Sequence, residues 1–186
     1  LLDWAKDALE ELAEGDQPFS LSLLTVDTHF YGGVTCEYCA SMYDSKYENV
    51  IHCSDGLVAA FVQWCQMQPF YENTTIVITG DHPTMDFNFV SEHTAHALVD
   101  RGVYNCIIHP YGDLAPADDR QRQASTFDIY PTTLAALGAQ WKGDQLAFGV
   151  NLFSDTPTLV EQKGRETLNI QLQMPADDYL EKFYHR

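Results

Sequence analysis

The chain is poor in positive charge and has no long hydrophobic run. It contains 10 Lys and Arg residues against 27 Asp and Glu residues, so its formal net charge is -17. Nucleic-acid backbones need clustered Lys and Arg, and anionic membrane surfaces need a polybasic segment. The composition therefore argues against a nucleic-acid partner. No apolar run approaches the roughly 20 residues of a membrane-spanning helix.

A ready-made nucleophile is also missing. The chain has no Gly-x-Ser-x-Gly elbow and no cysteine paired with a histidine in an activating context. Thr28 and Thr84 carry hydroxyls, but neither is at a predicted helix start, where developing negative charge would be stabilised. The sequence therefore predicts no catalytic nucleophile within these 186 residues.

Cysteine is sparse and occurs in an odd number, with five residues in the chain. Cys36-x-x-Cys39 resembles half of a zinc site, but no second C-x-x-C motif completes a set of four thiolates. If the protein faces an oxidising compartment, a disulfide between Cys53 and either Cys36 or Cys39 is plausible, and the sequence does not choose between the two pairings. Cys65 and Cys106 lie in apolar segments, so we expect both to be buried thiols.

What the sequence does contain is an uncharged, β-branched segment at 75–79 that is followed by a turn. Such a segment is typical of a strand buried on both faces of a parallel sheet. Gly80 turns the chain, and Asp81 and His82 follow side by side. A carboxylate oxygen beside an imidazole nitrogen suits a divalent metal such as zinc or manganese. The alternative is that Asp81 caps the turn and His82 packs against an aromatic ring.

A second apolar run, at 19–26, ends in Asp27-Thr28-His29 and is also predicted to be a buried strand. In open α/β sheets, ligands bind in the crevice beyond the carboxyl ends of the strands. If the two strands are neighbours, His29, Asp81 and His82 converge on one crevice. The other acidic and histidine candidates are interpreted as loop, edge or packing residues: His52, His93, His96, His109, Asp118 and Asp119.

The remaining pattern predicts an α/β fold with a mostly parallel sheet flanked by helices. Helices are expected at 1–14, at 54–67 with Ser54-Asp55 as the cap, and at 128–138. A further strand is expected at 103–109, no clear period is found at 83–100, and an amphipathic tail begins at 155. The chain starts without methionine and already in a helical pattern, which indicates part of a longer protein.

Four segments in this order resemble the alkaline phosphatase/sulfatase superfamily, and most closely its phosphoglycerol transferase branch, which includes lipoteichoic acid synthase. They are Leu24-Thr25-Val26-Asp27-Thr28-His29-Phe30, Thr79-Gly80-Asp81-His82-Pro83-Thr84-Met85, the Asp128-x-x-Pro131-Thr132 helix, and Leu146 to Ser154. The resemblance implies a partial sulfatase-like catalytic domain at 1–154, with 155–186 as its peripheral helical tail.

The resemblance also implies roles for individual residues. Asp81 and His82 would ligate one divalent metal ion, with manganese favoured and zinc or magnesium as alternatives. His29 would contact the phosphate or glycerol of the substrate. The threonine nucleophile and another acidic metal ligand would lie upstream of this chain, so no catalytic residue is assigned within it. With two protein ligands, we expect the metal to bind weakly, because usual sites supply three or four.

The implied activity is metal-dependent transfer of phosphoglycerol from a phosphatidylglycerol-type lipid to a glycan or polyglycerolphosphate acceptor, through a covalent threonine intermediate. A lipid donor implies a bacterial, membrane-anchored parent with this part on the extracytoplasmic face of the membrane. Two other functions stay open: a sulfatase or phosphodiesterase of the same superfamily, and a non-catalytic binding module. The acceptor and the oligomeric state cannot be read from the sequence.

Overall fold

A computed structural model describes residues 1–93, 101–114 and 122–184 of the chain. These residues form helices and small β-sheets, so the predicted α/β class is confirmed. Three of the candidate residues, His96, Asp118 and Asp119, lie outside the described ranges. In the ranges that are described, no helix is both long and apolar enough to cross a membrane.

The chain divides into two compact units, and the division falls between Cys106 and Ile107. The first unit contains α1 (Leu2–Ala13), α2 (Lys46–Gln66), a 3-10 helix (Pro69–Asn73), β1 (Ile76–Thr79) and α3 (Phe87–His93). Strand β2 (Asn105–Ile108) crosses the division. The second unit contains a 3-10 helix (Thr126–Asp128), α4 (Ile129–Ala136), β3 (Gln145–Leu146), β4 (Gly149–Val150), α5 (Leu159–Lys163), α6 (Arg165–Leu172) and α7 (Asp177–Phe183). The expected boundary between residues 154 and 155 stays a prediction.

The central strand is present where the β-branched segment predicts it. β1 pairs with β2, so the strand expected at 103–109 is confirmed as well. The residues of β1 are half-buried or exposed, however, and not buried on both faces. β3 and β4 form a separate antiparallel pair in which Gln145 lies opposite Val150. The predicted mostly parallel arrangement of the sheet stays a prediction.

The segment at 19–26 is not a strand in the structure, which corrects the prediction made from its apolar residues. Leu24 is 76% exposed and Val26 is 58% exposed. A strand is defined by the partner that takes its backbone hydrogen bonds. Among the described residues, the sheets contain only β1 with β2 and β3 with β4, so residues 19–26 have no such partner.

Helix α2 begins earlier than the cap expected at Ser54 and Asp55. Its N-cap is Ser45, whose hydroxyl accepts a hydrogen bond from the backbone N–H of Glu48 at 3.3 Å. The added first turns bury Tyr47, Asn49, Val50 and Cys53. Tertiary burial of such a face stabilises a helix more than intrinsic propensity does. Local sequence signals therefore predict a start that is too late.

Helix α3 lies in the stretch where the sequence shows no clear period. Asp86 precedes it and accepts a hydrogen bond from the backbone N–H of Phe89 at 3.0 Å. Val90 is its buried residue. With 7 residues, this helix is too short to produce a periodic signal, which is detected over windows of about 11–18 residues.

In the second unit, the Asp-x-x-Pro-Thr segment holds α4 against β4. Asp128 is 1% exposed, and its carboxylate accepts hydrogen bonds from the backbone N–H groups of Ser125 (2.7 Å) and Val150 (2.8 Å). Thr132 donates to the carbonyl of Asp128 and accepts from the N–H of Leu152. Both polar side chains of this motif are therefore satisfied within the unit, and their role there is structural.

Candidate metal and substrate site

Asp81 and His82 follow β1 directly, as the sequence predicts. One carboxylate oxygen of Asp81 accepts a hydrogen bond from the backbone N–H of His82 at 2.9 Å. The other oxygen, Oδ2, lies 3.5 Å from Nε2 of His82. The side chain of Asp81 is 77% exposed and that of His82 is 51% exposed, so both are open to a ligand. His82 is not packed against an aromatic ring in the described structure.

The imidazole of His82 is oriented as in a metal ligand. Its Nδ1 lies 2.9 Å from the carbonyl oxygen of Pro83. A carbonyl oxygen only accepts, so Nδ1 carries the proton and Nε2 has a free lone pair in the neutral ring. Histidines that bind metals commonly donate their second ring N–H to such a group, which fixes the tautomer.

The spacing of the two donors also fits one ion. Two ligands held about 2.1 Å from a metal in a tetrahedral arrangement are roughly 3.4 Å apart. The 3.5 Å between Asp81 Oδ2 and His82 Nε2 matches that value. In the described part of the chain, the only group of three or more candidate ligands within 4.8 Å of one another lies elsewhere, at Cys36, Cys39 and Cys53. The spacing of Asp81 Oδ2 and His82 Nε2 is therefore compatible with the predicted metal role.

His29 lies in a tight turn between the 19–26 segment and α2. Its backbone N–H donates to Val26 (3.1 Å) and its carbonyl accepts from Gly33 (3.0 Å). Its ring Nδ1 lies 2.7 Å from the carbonyl oxygen of Phe30, which leaves Nε2 as the free acceptor, as in His82. The residue is exposed. This arrangement presents one imidazole nitrogen to solvent in a fixed orientation.

Tyr47, at the start of α2, joins the turn that carries His29 to the turn that carries Asp81 and His82. Its hydroxyl oxygen lies 2.9 Å from the carbonyl oxygen of Thr28 and 2.9 Å from Oγ1 of Thr84. Because the carbonyl can only accept, the phenol donates to Thr28 and is free to accept from the Thr84 hydroxyl. Two segments more than fifty positions apart in sequence therefore meet at one phenol.

The 83–86 turn is also held by Arg101, which sequence reasoning missed. A guanidinium nitrogen of Arg101 donates to the carbonyl of Thr84 at 2.7 Å, and the guanidinium lies 5.7 Å from the ring centre of Phe87. The Thr84 hydroxyl oxygen accepts from the backbone N–H of Asp86 at 3.2 Å. Neither Tyr47 nor Arg101 belongs to a recognisable motif, so only the tertiary contacts identify them.

The other described histidines of the first unit do not join this arrangement. His93 donates from Nδ1 to the carbonyl of Phe89, and its Nε2 lies 3.7 Å from Glu48. His52 faces the ring of Tyr43, with ring centres 5.8 Å apart. Both contacts agree with the packing and edge roles expected from the sequence. The metal role of Asp81 and His82 and the substrate role of His29 stay predictions.

Cys36, Cys39 and Cys53 form a cluster. Sγ of Cys36 lies 3.6 Å from Sγ of Cys39 and 3.7 Å from Sγ of Cys53, and all three are free thiols. The hydrogen bond between the Cys53 and Cys39 thiols lowers the pKa of Cys39 and, with burial, raises the pKa of Cys53 to about 12. The backbone N–H of Cys36 also donates to Sγ of Cys39, which further favours the Cys39 thiolate.

Comparison with known proteins places the chain in a family. The family profile described as Sulfatase matches residues 1–139. The chain is 32% identical over 164 residues to phosphoglycerol transferase I of Xanthomonas euvesicatoria pv. vesicatoria, covering 84% of this chain and 22% of that protein. It is 34% identical to the protein of the same name from Xanthomonas axonopodis pv. citri, with the same coverage. For that of Citrobacter koseri, the identity is 31%, over 74% of this chain and 18% of the relative.

The chain thus spans 22% or less of the length of these three relatives. No solved structure matches the chain significantly. The profile nevertheless covers most of the chain and includes both turns joined by Tyr47. The chain belongs to the sulfatase family of the alkaline phosphatase superfamily.

Proposed function

We propose that this chain is part of the catalytic domain of a metal-dependent phosphoglycerol transferase. The parent would move phosphoglycerol from a phosphatidylglycerol-type lipid to a glycan or polyglycerolphosphate acceptor. The observation that carries the proposal is the joining of the Asp-Thr-His and Asp-His-Pro-Thr turns by Tyr47. The name shared by the three relatives supports the transferase assignment over other reactions of the family.

Members of this superfamily typically use a divalent metal ion, and here Asp81 and His82 would hold it. The bound ion would neutralise charge on the phosphoryl oxygens and lower the pKa of the nucleophile. Manganese is the ion we favour, with zinc or magnesium as alternatives. The chain's own contribution is orientation, since the Pro83 carbonyl fixes the His82 ring and the His82 N–H fixes the Asp81 carboxylate.

His29 would bind the substrate. Its Nε2 is free because Nδ1 is held by the Phe30 carbonyl, so it can accept a hydrogen bond from a glycerol hydroxyl. When protonated, the same nitrogen can donate to a phosphate oxygen. The contacts of the Tyr47 hydroxyl with both turns support a shared site for His29, Asp81 and His82.

The nucleophile is proposed to be a threonine upstream of this chain in the parent. Its oxygen would attack phosphorus, the diacylglycerol oxygen would leave with a proton, and a glycerophospho-threonine would remain. A hydroxyl of the acceptor would then attack the same phosphorus and release the threonine. The lipid donor places this part of the parent, in our proposal, on the extracytoplasmic face of a bacterial membrane.

The test uses the complete parent with phosphatidylglycerol labelled in its head group. We expect metal-dependent release of diacylglycerol together with label on the acceptor. Asp81→Asn and His82→Ala should abolish both, and His29→Ala should slow transfer by about 10- to 100-fold, as for loss of a hydrogen bond to a charged group. Asp55→Asn and His52→Ala, which change exposed residues of α2, should leave the rate unchanged.

Two results would contradict the proposal. Hydrolysis of the label into water without transfer would favour a sulfatase or phosphodiesterase of the same superfamily. Unchanged activity of the Asp81→Ala, His82→Ala double variant would favour a non-catalytic binding module.

A further inference from the structure

The thiol cluster of Cys36, Cys39 and Cys53 has the geometry of a metal site. Cys36 and Cys39 flank a turn closed by a hydrogen bond from the N–H of Cys39 to the carbonyl of Cys36 at 3.1 Å. Cys53 projects from α2 and is buried. The three sulfur atoms lie within 4.8 Å of one another, so one small ion could contact all of them.

The distances between the sulfur atoms fit tetrahedral coordination. With zinc–sulfur bonds of about 2.3 Å, two thiolates on one tetrahedral ion lie roughly 3.8 Å apart. The two printed distances from Cys36, 3.6 Å and 3.7 Å, are close to that value. The cluster is thus arranged so that an ion can enter with little movement of the three side chains.

The backbone supports a thiolate in this cluster. The N–H of Cys36 donates to Sγ of Cys39 at 3.3 Å, and such a hydrogen bond stabilises a charged sulfur. The hydrogen bonds described for the three sulfurs involve only one another and the Cys36 N–H. Three thiolates would carry three negative charges, and a divalent cation bound to them would offset two of these in a chain whose net charge is already -17.

A disulfide accounts for the cluster less completely. One disulfide uses two sulfurs and leaves the third in contact with it, whereas an ion uses all three. The sequence had argued against zinc because no second C-x-x-C motif exists. In the structure the third thiol comes from Cys53 on α2. A single cysteine in a helix belongs to no metal-binding motif, so the sequence carries no signal for it.

We propose that Cys36, Cys39 and Cys53 form a three-thiolate site for a closed-shell divalent ion of the zinc class, distinct from the Asp81–His82 pair. Soft thiolate ligands select zinc over magnesium or manganese. Three protons leave the thiols when the ion binds, and no electron transfer is involved. The fourth position is left to water or to an added ligand.

The site would tie the segment before α2 to the helix itself. Residues 34–45 contain no helix or strand, and they connect the His29 turn to Ser45 at the start of α2. An ion bridging this segment to Cys53 would fix its path. Binding should therefore stabilise the chain by mass action, because the three thiols are gathered only in the folded state.

Cobalt(II) alone is the probe that tests this proposal. The chain is purified reduced, without oxygen and free of metal, and titrated with cobalt while its absorbance is recorded. We expect one equivalent to produce a thiolate-to-cobalt charge-transfer band and the visible bands of tetrahedral cobalt, both removed by zinc. Cys39→Ser should weaken cobalt binding by at least about 10-fold, since even outer-shell changes cost that much.

Three controls make the result specific. Cys106→Ser changes a half-buried thiol outside the cluster and should leave the bands unchanged. The double variant Asp81→Asn, His82→Ala should also keep them, so failure of the proposed transferase site is distinguishable from failure of this one. Circular dichroism of each variant checks that it is folded.

The proposal is overturned if the reduced chain shows three reactive thiols but no charge-transfer band. It is also overturned if the folded Cys39→Ser variant binds cobalt as tightly as the original chain. A third contrary result has two parts. Mass spectrometry of the isolated chain finds a disulfide within the cluster, and the chain does not bind cobalt after that disulfide is reduced.

Discussion

At the scale of single residues, the candidate site depends on side chains that no motif identifies. Asp81, His82 and His29 are visible in sequence because each follows an apolar segment. Tyr47 is not, although its hydroxyl contacts both turns that carry them. It is 5% exposed and its ring packs against Phe89, with ring centres 4.8 Å apart. The functional candidates are thus exposed, and the residue that contacts both of their turns is buried.

Replacing Tyr47 with Phe tests this link. The change removes the hydroxyl and leaves the Thr28 carbonyl and the Thr84 hydroxyl without their shared partner. We expect a loss of about 0.5–1.5 kcal/mol in the free energy of unfolding, the usual net contribution of a hydrogen bond, because Thr28 is exposed and Thr84 is half-buried. Urea denaturation of the chain measures it. Tyr38→Phe, at an exposed tyrosine, is the matched control; an equal effect of both changes would show that the link contributes nothing.

Gly33 tests the turn that carries His29. Its φ is +64°, and a Cβ added there would lie 2.6 Å from the carbonyl oxygen of Asp27 and 2.6 Å from Val50. Gly32 has nearly the same φ, +61°, but nothing within 4 Å of an added Cβ. Gly32→Ala should therefore cost only the left-handed backbone penalty, about 1–2 kcal/mol.

Gly33→Ala should cost more than Gly32→Ala, because the added methyl also meets a backbone oxygen that cannot move away freely. The difference between the two unfolding free energies isolates the steric contact from the backbone strain. Equal losses, measured in the same urea titrations, would show that the contacts of the added methyl group with Asp27 and Val50 relax without cost.

At the scale of elements, local signals were reliable where one residue type dominates and unreliable where burial decides. β1 follows from its β-branched residues, and α4 from its early proline and closing Gly138. The 19–26 segment is also apolar, but it is rich in Leu and Ser where β1 is β-branched, and it has no pairing partner among the described residues, so its prediction was wrong. The start of α2 was missed because it depends on the burial of Tyr47 and Val50. Composition predicts the tendency to form an element, and the partner decides the outcome.

The short helix α5 illustrates an element held by one ion pair. Arg122 donates from two nitrogens to the two carboxylate oxygens of Glu161, at 2.8 Å and 3.0 Å, and also to the carbonyls of Ser154 and Thr156. Glu161 accepts in addition from the backbone N–H of Thr158 at the helix N-cap. Both charged side chains are at most 24% exposed. A helix of 5 residues has little stability by itself, so this pair holds it in place.

The pH dependence of this pair has a defined sign. The Arg122 guanidinium lowers the pKa of Glu161 below its ordinary value of 4.5. A group whose pKa is lower when folded stabilises the protein above its unfolded pKa. Its contribution is therefore present above about pH 4.5 and is lost as the pH falls through the lowered pKa. Glu161→Gln should remove about 1–3 kcal/mol at pH 7 and flatten this part of the stability curve.

Denaturation at a series of pH values below 7 measures the effect. Glu181→Gln on α7, an exposed carboxylate, is the control and should leave the curve unchanged. If Glu161→Gln left the acid branch of the curve as steep as before, the ion pair would not be its source.

At the scale of the whole molecule, the chain covers only 18–22% of the length of the relatives that it resembles. The candidate metal site also has fewer ligands than a complete site. Asp81 and His82 would supply two ligands, and metal sites usually supply three or four. In the described structure, no third histidine, cysteine or carboxylate joins them within 4.8 Å. The strand-end logic of the sequence was sufficient to locate this pair. A local motif could not identify the remaining ligands, because these would come from residues that are distant in sequence.

Manganese affinity therefore separates the chain from its parent. We expect this chain alone to bind manganese weakly, and the complete parent to bind at least about 10-fold more tightly, since it would add ligands and outer-shell partners. Asp81→Asn should weaken binding in both proteins, whereas Asp55→Asn should change neither. Because the thiol cluster disfavours manganese, Cys39→Ser should also leave these titrations unchanged. Calorimetric titration with manganese measures the affinity of each of these proteins. If the isolated chain bound manganese as tightly as the parent, Asp81 and His82 would lie in a site completed within these residues.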